Sequence, residues 1–138
     1  MKAVTDWSSA TAPSLAELER LADEAFAHLP EGFRRLCEGV AIRVEDFPDD
    51  ETLREMELES PFDLLGLFRG IGLAQGGGSL QSGQFPNMIW LYRRPLLDYW
   101  AEHEETLGHL VSHVLIHEIG HHFGFSDADM ERLEAASG

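Results

Sequence analysis

The stretch LGHLVSHVLIHEIGHHFGFSD, residues 107–127, decides how the chain is read. Leu107, Leu110, Val111, Val114, Leu115 and Ile119 recur at three- and four-residue spacing, the stripe of a helix laid against a core. The pattern predicts one long helix from about Leu96 or Glu102 to Phe123. Gly124 closes it, because glycine tolerates the positive φ at which helices commonly end. His117 and His121 stand four residues apart on that helix. Four residues are ~400° of rotation and ~6 Å of rise, so the two rings can converge on one tetrahedral Zn²⁺ at ~2.0–2.1 Å per nitrogen. Glu118 lies ~100° further round, beside such an ion rather than on it, which is where a general base has to be. The turn at Gly124 brings the chain back and delivers Asp127.

Chance does not readily produce this arrangement. With 7 His among 138 residues, the composition yields about 0.04 random His-Glu-x-x-His matches, and about 4 in 10,000 once Gly and a following Asp or His are required. A histidine-rich polar face on a surface helix is the plainer alternative. His109 and His113 continue the four-residue ladder, but each step drifts ~40° and turns them away from the ion. They are expected to be polar-face residues rather than a second metal site. His113 and His122 are the candidates for holding the ligands from behind, with an ordinary polar-face position as the alternative.

Upstream, Ser14 and Glu17 form a capping-box pair, and the apolar spacing from Leu15 to Leu29 predicts an amphipathic helix ending at Pro30. A short helical turn is expected over 32–38. Val40, Ile42 and Val44 alternate with Ala41, Arg43 and Glu45, the period of a strand with one wet face. The segment DDETLREMELES, residues 49–60, reads as a solvated loop or short exposed helix. In LLGLFRGIGLA, residues 64–74, the glycines at 66, 70 and 72 favour a bent strand, or a strand and turn, over a helix. QGGGSLQSGQFPN, residues 75–87, is expected to be a mobile loop; it lacks the lysine pattern of a phosphate-binding loop. MIWLY, residues 88–92, is apolar on both faces and suits a central strand, ended by Arg93-Arg94-Pro95. Trp90, Trp100 and Phe123 are expected in the core. The fold class that follows is α+β. A short three- to four-stranded sheet packs against an N-terminal helix and a long C-terminal helix in a single domain, 1–138, with 1–13 flexible.

The chain has 138 residues, 43% of them hydrophobic, enough to bury one core. Its 25 acidic and 10 basic residues give a net charge of −15. Such a surface repels phosphate backbones and anionic lipid, so neither nucleic acid nor membrane is an expected partner. A peptide or protein substrate is, with basic sequences preferred and a monomer slightly favoured. Cys37 stands alone and is expected to be a small buried hydrophobe; with no apolar leader or span in the sequence, a cytoplasmic location is expected.

HEIGHHFGFSD is similar to HExxHxxGxxD, the zincin metallopeptidase signature in a short metzincin-like form. Together with VAIRVEDFP (40–48), LLGLFRG (64–70) and MIWLYRRPL (88–96), it makes the chain resemble the small bacterial zincin-like metallopeptidases, the "minimal" zincins, from about Val40 to Met130. The resemblance implies one zinc ion per chain on His117, His121 and Asp127, water at the fourth position, Glu118 as general base, and peptide-bond hydrolysis without a covalent intermediate. An extended substrate would pair with a strand edge, for which Val40–Glu45 is one candidate. The sequence departs from metzincins in lacking a separate methionine turn; Met130 is expected to serve packing. No oxyanion-stabilising group stands out among Tyr92, Tyr99, Arg93, Arg94 and His122. Two other functions are consistent with parts of the pattern. One is a metal-binding module without catalysis. The other is a metal-dependent ribonuclease, whose HGxxHxxGxDH signature has glycine in place of Glu118 and demands a histidine where this chain has Asp127.

Overall fold

The computed structural model describes residues 6–69 and 87–137. Residues 75–86 of the expected mobile loop, and the part of LLGLFRGIGLA from residue 70 onward, lie outside the described residues.

Helix α1, Leu15–Ala27, starts where the capping box puts it. The Glu17 amide donates to Ser14 Oγ at 3.1 Å and the Ser14 amide donates to Glu17 Oε1 at 2.8 Å. A short α2, Glu31–Arg35, follows. Strand β1, Ala41–Glu45, has Val44 buried, Ile42 half-buried and Ala41, Arg43 and Glu45 exposed, as alternation requires. The acidic segment forms α3, Asp50–Met56, capped by Asp49, which accepts the Thr52 amide. Then come β2, Gly66–Arg69, and β3, Met88–Tyr92. The sheet order is β1-β3-β2, with β1 parallel and β2 antiparallel to β3. MIWLY is thus the central strand. Its Ile89 and Leu91 face the core together with Val44 and Phe68. Trp90 is not in that core. It lies on the other face of the sheet, with the Arg43 guanidinium over its ring, while Trp100 and Phe123 pack partly buried against the core rim.

Two features differ from the sequence reading. The expected long helix is two helices, α4, Arg93–Glu102, and α5, Leu107–His122. The chain breaks between them because Thr106 caps α5, its hydroxyl accepting the His109 amide at 3.1 Å. Beyond Gly124 a further helix, α6, Asp127–Ser137, was not anticipated. Ser126 and Asp129 exchange amide-to-side-chain hydrogen bonds at its start, a capping box with Asp in the acidic position.

The α5–α6 corner is a Schellman turn. The Phe125 amide donates to the Gly120 carbonyl at 2.8 Å, the Gly124 amide to the His121 carbonyl at 3.2 Å, and Gly124 sits at φ +79°. Space around Gly124 is open, so Gly124→Ala should be penalised by backbone conformation alone. The expected loss is about 1–2 kcal/mol in urea unfolding, with Gly124→Asn losing less. Equal stability of wild type and Ala variant would exclude this reading of the turn.

Candidate metal centre and its surroundings

Helix α5 lies across the core face of the sheet, between β2, α1 and α6. It comes close to β2 because Gly66 has no side chain; a Cβ there would stand 2.8 Å from Val114 Cγ1 and 3.1 Å from the Trp90 carbonyl oxygen. At its other flank Gly120 does the same for α6, with the fully buried Met130 seated against it. Met130 is therefore a packing residue, as expected, directly beneath the HEIGH segment.

His117 and His121 present their rings edge to face with centroids 5.8 Å apart. Two imidazoles sharing one tetrahedral ion would place their ring centres ~5 Å apart, so this pair suits zinc in donor chemistry but stands somewhat wider than an occupied site. Asp127 is exposed at the first turn of α6. Among the described residues, one group of His, Cys, Asp or Glu brings three ligand atoms within 4.8 Å of one another, and it is a different one: His113, His117 and Glu134. Glu134, on α6, accepts from both histidines, Oε1 at 3.0 Å from His113 Nδ1 and Oε2 at 2.9 Å from His117 Nε2. Burial raises the Glu134 carboxyl pKa, but the two histidines outweigh it and hold the group below the usual carboxylate range. The sequence reading had no role for Glu134, which sits on the unanticipated helix. His113, placed behind the ligands on sequence grounds, stacks on His117 at 4.1 Å and shares its carboxylate.

Glu118 faces β2. Burial pushes its carboxyl up to about 7, against the opposing effect of a backbone hydrogen bond from the Phe68 amide. The β-ladder explains why that amide is available. The Tyr92 amide donates to the Leu65 carbonyl at 3.0 Å, and alternation along an antiparallel pair then turns the amides of Gly66 and Phe68 away from β3. The outer edge of β2 is thus what Glu118 touches. Strand β1 is an edge strand too, but it lies on the opposite side of β3, packed with α1.

Of the five groups that the sequence does not rank, three are engaged elsewhere. Arg93 bonds Asp46 and the Pro13 carbonyl, Arg94 lies over Phe47, and Tyr99 stacks on His103. Tyr92 is buried and its hydroxyl is pushed up to about 12, so it keeps its proton. His122 stacks on Phe68 at 4.0 Å, on the strand that holds Glu118, and burial lowers its pKa. Cys37 is buried, with its thiol pushed up to about 11, as expected of a packing residue.

The sequence profile of the zincin-like metallopeptidases matches residues 37–136. The chain belongs to that family. No curated protein gives a significant match. Family membership agrees with the α+β architecture and with a hydrolase that uses zinc. Among the described residues, no helix is long and apolar enough to cross a membrane.

Proposed function

We propose that this zincin-like metallopeptidase hydrolyses peptide bonds with His117, His121 and Asp127 holding one zinc ion and Glu118 as general base. The observation that carries the reading is Glu118, a half-buried carboxyl aimed at an edge strand next to the neighbouring imidazoles of His117 and His121. Zinc, when bound, supplies Lewis-acid polarisation of the scissile carbonyl and an acidified water. The protein's own groups do the rest. A carboxyl with a pKa near neutrality is matched to taking a proton from the attacking water and returning it to the leaving amine nitrogen. The Phe68 amide fixes that carboxylate, and His122, stacked on Phe68, holds this part of β2 in place.

An extended peptide laid along the outer edge of β2 would pair with Gly66 and the Phe68 carbonyl, and alternate side chains would project onto the two sheet faces. On the outer face, between α3 and the sheet, lies a cavity of about 330 Å³ lined by Glu45, Asp49, Glu51, Glu55 and Arg69. Four carboxylates against one guanidinium favour a basic substrate side chain. The expected profile from a peptide library is enrichment in Lys and Arg.

Stripping the metal with a chelator should abolish hydrolysis, and one equivalent of zinc per chain should restore it in wild type but not in His121→Ala. A zinc-loaded protein with no hydrolysis of any library peptide would overturn the peptidase reading in favour of a metal-binding module. Cleavage of RNA instead would favour a nuclease.

A further inference from the structure

His117 takes part in two constellations. Toward the end of α5 stands His121; one turn back, His113 stacks on His117 and Glu134 bridges the two. The helix pairing explains this. Gly120 meets Met130, while His117 and His113 further back on α5 meet Glu134 further along α6, so the two helices run antiparallel from the turn at Gly124. Asp127 and Glu134 are seven residues apart, which puts them on one face of α6 two turns from each other. Glu134 faces His113 and His117, while Asp127 is exposed at the other end of α6. A cavity of about 240 Å³, lined by Thr106, His109, Ser112, His113, Ile116 and Glu134 among others, opens at the Glu134 end.

We propose that His113, His117 and Glu134 form a second position for a divalent transition metal such as zinc, sharing His117 with the HExxH pair, so that an ion in one position excludes an ion in the other. The donor set is two imidazoles and one carboxylate, a combination that zinc takes with a fourth position left open. His113 and Glu134 line the cavity. His113 Nδ1 and His117 Nε2 stand 3.0 and 2.9 Å from the two different oxygens of the Glu134 carboxylate, and the ligand atoms of the three residues all lie within 4.8 Å of one another, close to the ~3.4 Å spacing of ligand atoms around a tetrahedral zinc. Exclusion follows from valence. A neutral imidazole offers one lone pair, and the Nε2 of His117, the nitrogen facing Glu134, cannot serve two ions at once. An ion at the Glu134 end takes His117 out of the set beside Glu118.

The test is titration of the full-length metal-free protein with Co²⁺, followed by its visible ligand-field absorption and by equilibrium dialysis, with far-UV circular dichroism as the check on folding. It reads metal binding alone, so it stands apart from any failure to cleave peptides. His121→Ala/Asp127→Ala removes two exposed side chains and leaves the core intact; His121→Gln/Asp127→Asn serves as the milder pair. Either pair should still bind one Co²⁺ per chain. Adding His113→Ala or Glu134→Gln should weaken that binding at least tenfold, and wild type should saturate at one Co²⁺, not two. A folded His121→Ala/Asp127→Ala protein that binds no Co²⁺, or binding indifferent to His113 and Glu134, would overturn the second position. Two Co²⁺ per wild-type chain would overturn the exclusion.

Discussion

Glu118→Gln should lower kcat for peptide hydrolysis by ~10²–10⁴-fold while leaving bound zinc unchanged. The amide is the same shape and its oxygen still accepts the Phe68 amide, so the strand contact survives and only the proton acceptor is lost. The same substitution should raise stability. An ordinary carboxyl at 4.5 is pushed up to about 7 by burial in the folded protein. Below pH 4.5 the group is protonated in both states and folding carries no penalty. Between 4.5 and about 7 the unfolded chain ionises while the folded one resists, so stability falls as pH rises, and above about 7 the whole penalty is present. That gap corresponds to about 3 kcal/mol. In the metal-free protein at pH 8, Glu118→Gln should therefore be more stable than wild type by about that amount, with the difference vanishing near pH 4. Urea unfolding of both proteins at the two pH values measures it. Equal stabilities at pH 8 would mean the carboxyl is not held in a desolvated site; full hydrolysis by the variant would remove Glu118 from the reaction.

The elements most plainly written in the sequence are those whose signals are local. The Ser14–Glu17 box, the alternation in β1 and the Gly124 terminus each involve residues within a few positions of one another, and each is found where the pattern puts it. The break between α4 and α5 was hidden because Glu102–Thr106 continues the polar spacing of a helix, and Thr106 acts as a cap only once the chain has already turned. Helix α6 was hidden because few of its side chains are apolar; Met130 is fully buried and Leu133 partly so, and the Ser126–Asp129 box was the one local signal of its start. The contacts of Glu134 span 21 and 17 residues to His113 and His117. No periodicity encodes them, since they depend on how α6 folds back.

The fold-back of α6 is seated by the contact between Met130 and Gly120, and this gives the second large effect. Met130 is fully buried against Gly120, so Met130→Ala should cost about 2–5 kcal/mol through the cavity it leaves. At roughly 3–5 °C per kcal/mol for a chain of this size, the melting temperature should drop by ~6–25 °C. Gly120→Ala tests the contact from the other side. In an exposed helix interior the change would gain ~1 kcal/mol of propensity. Here its Cβ would stand 2.5 Å from Met130 Sδ and 2.9 Å from Met130 Cγ, and Cγ is too near the backbone to swing clear. The methionine must reseat, a strain of about 1–3 kcal/mol that turns the gain into a loss. In the Met130→Ala background those atoms are gone, and the nearest remaining neighbour, Phe125 Cβ at 3.5 Å, is at ordinary contact distance. The sign should then reverse, with Gly120→Ala neutral or stabilising by up to ~1 kcal/mol. Urea unfolding of the four proteins in this cycle measures the coupling, and the same cost for Gly120→Ala in both backgrounds would rule out the packing described. The contact also sets the spacing of α5 and α6, on which the bridge from Glu134 to His113 and His117 depends. Gly120→Ala alone should therefore weaken metal binding although it touches no ligand, and Met130→Ala should recover part of that loss.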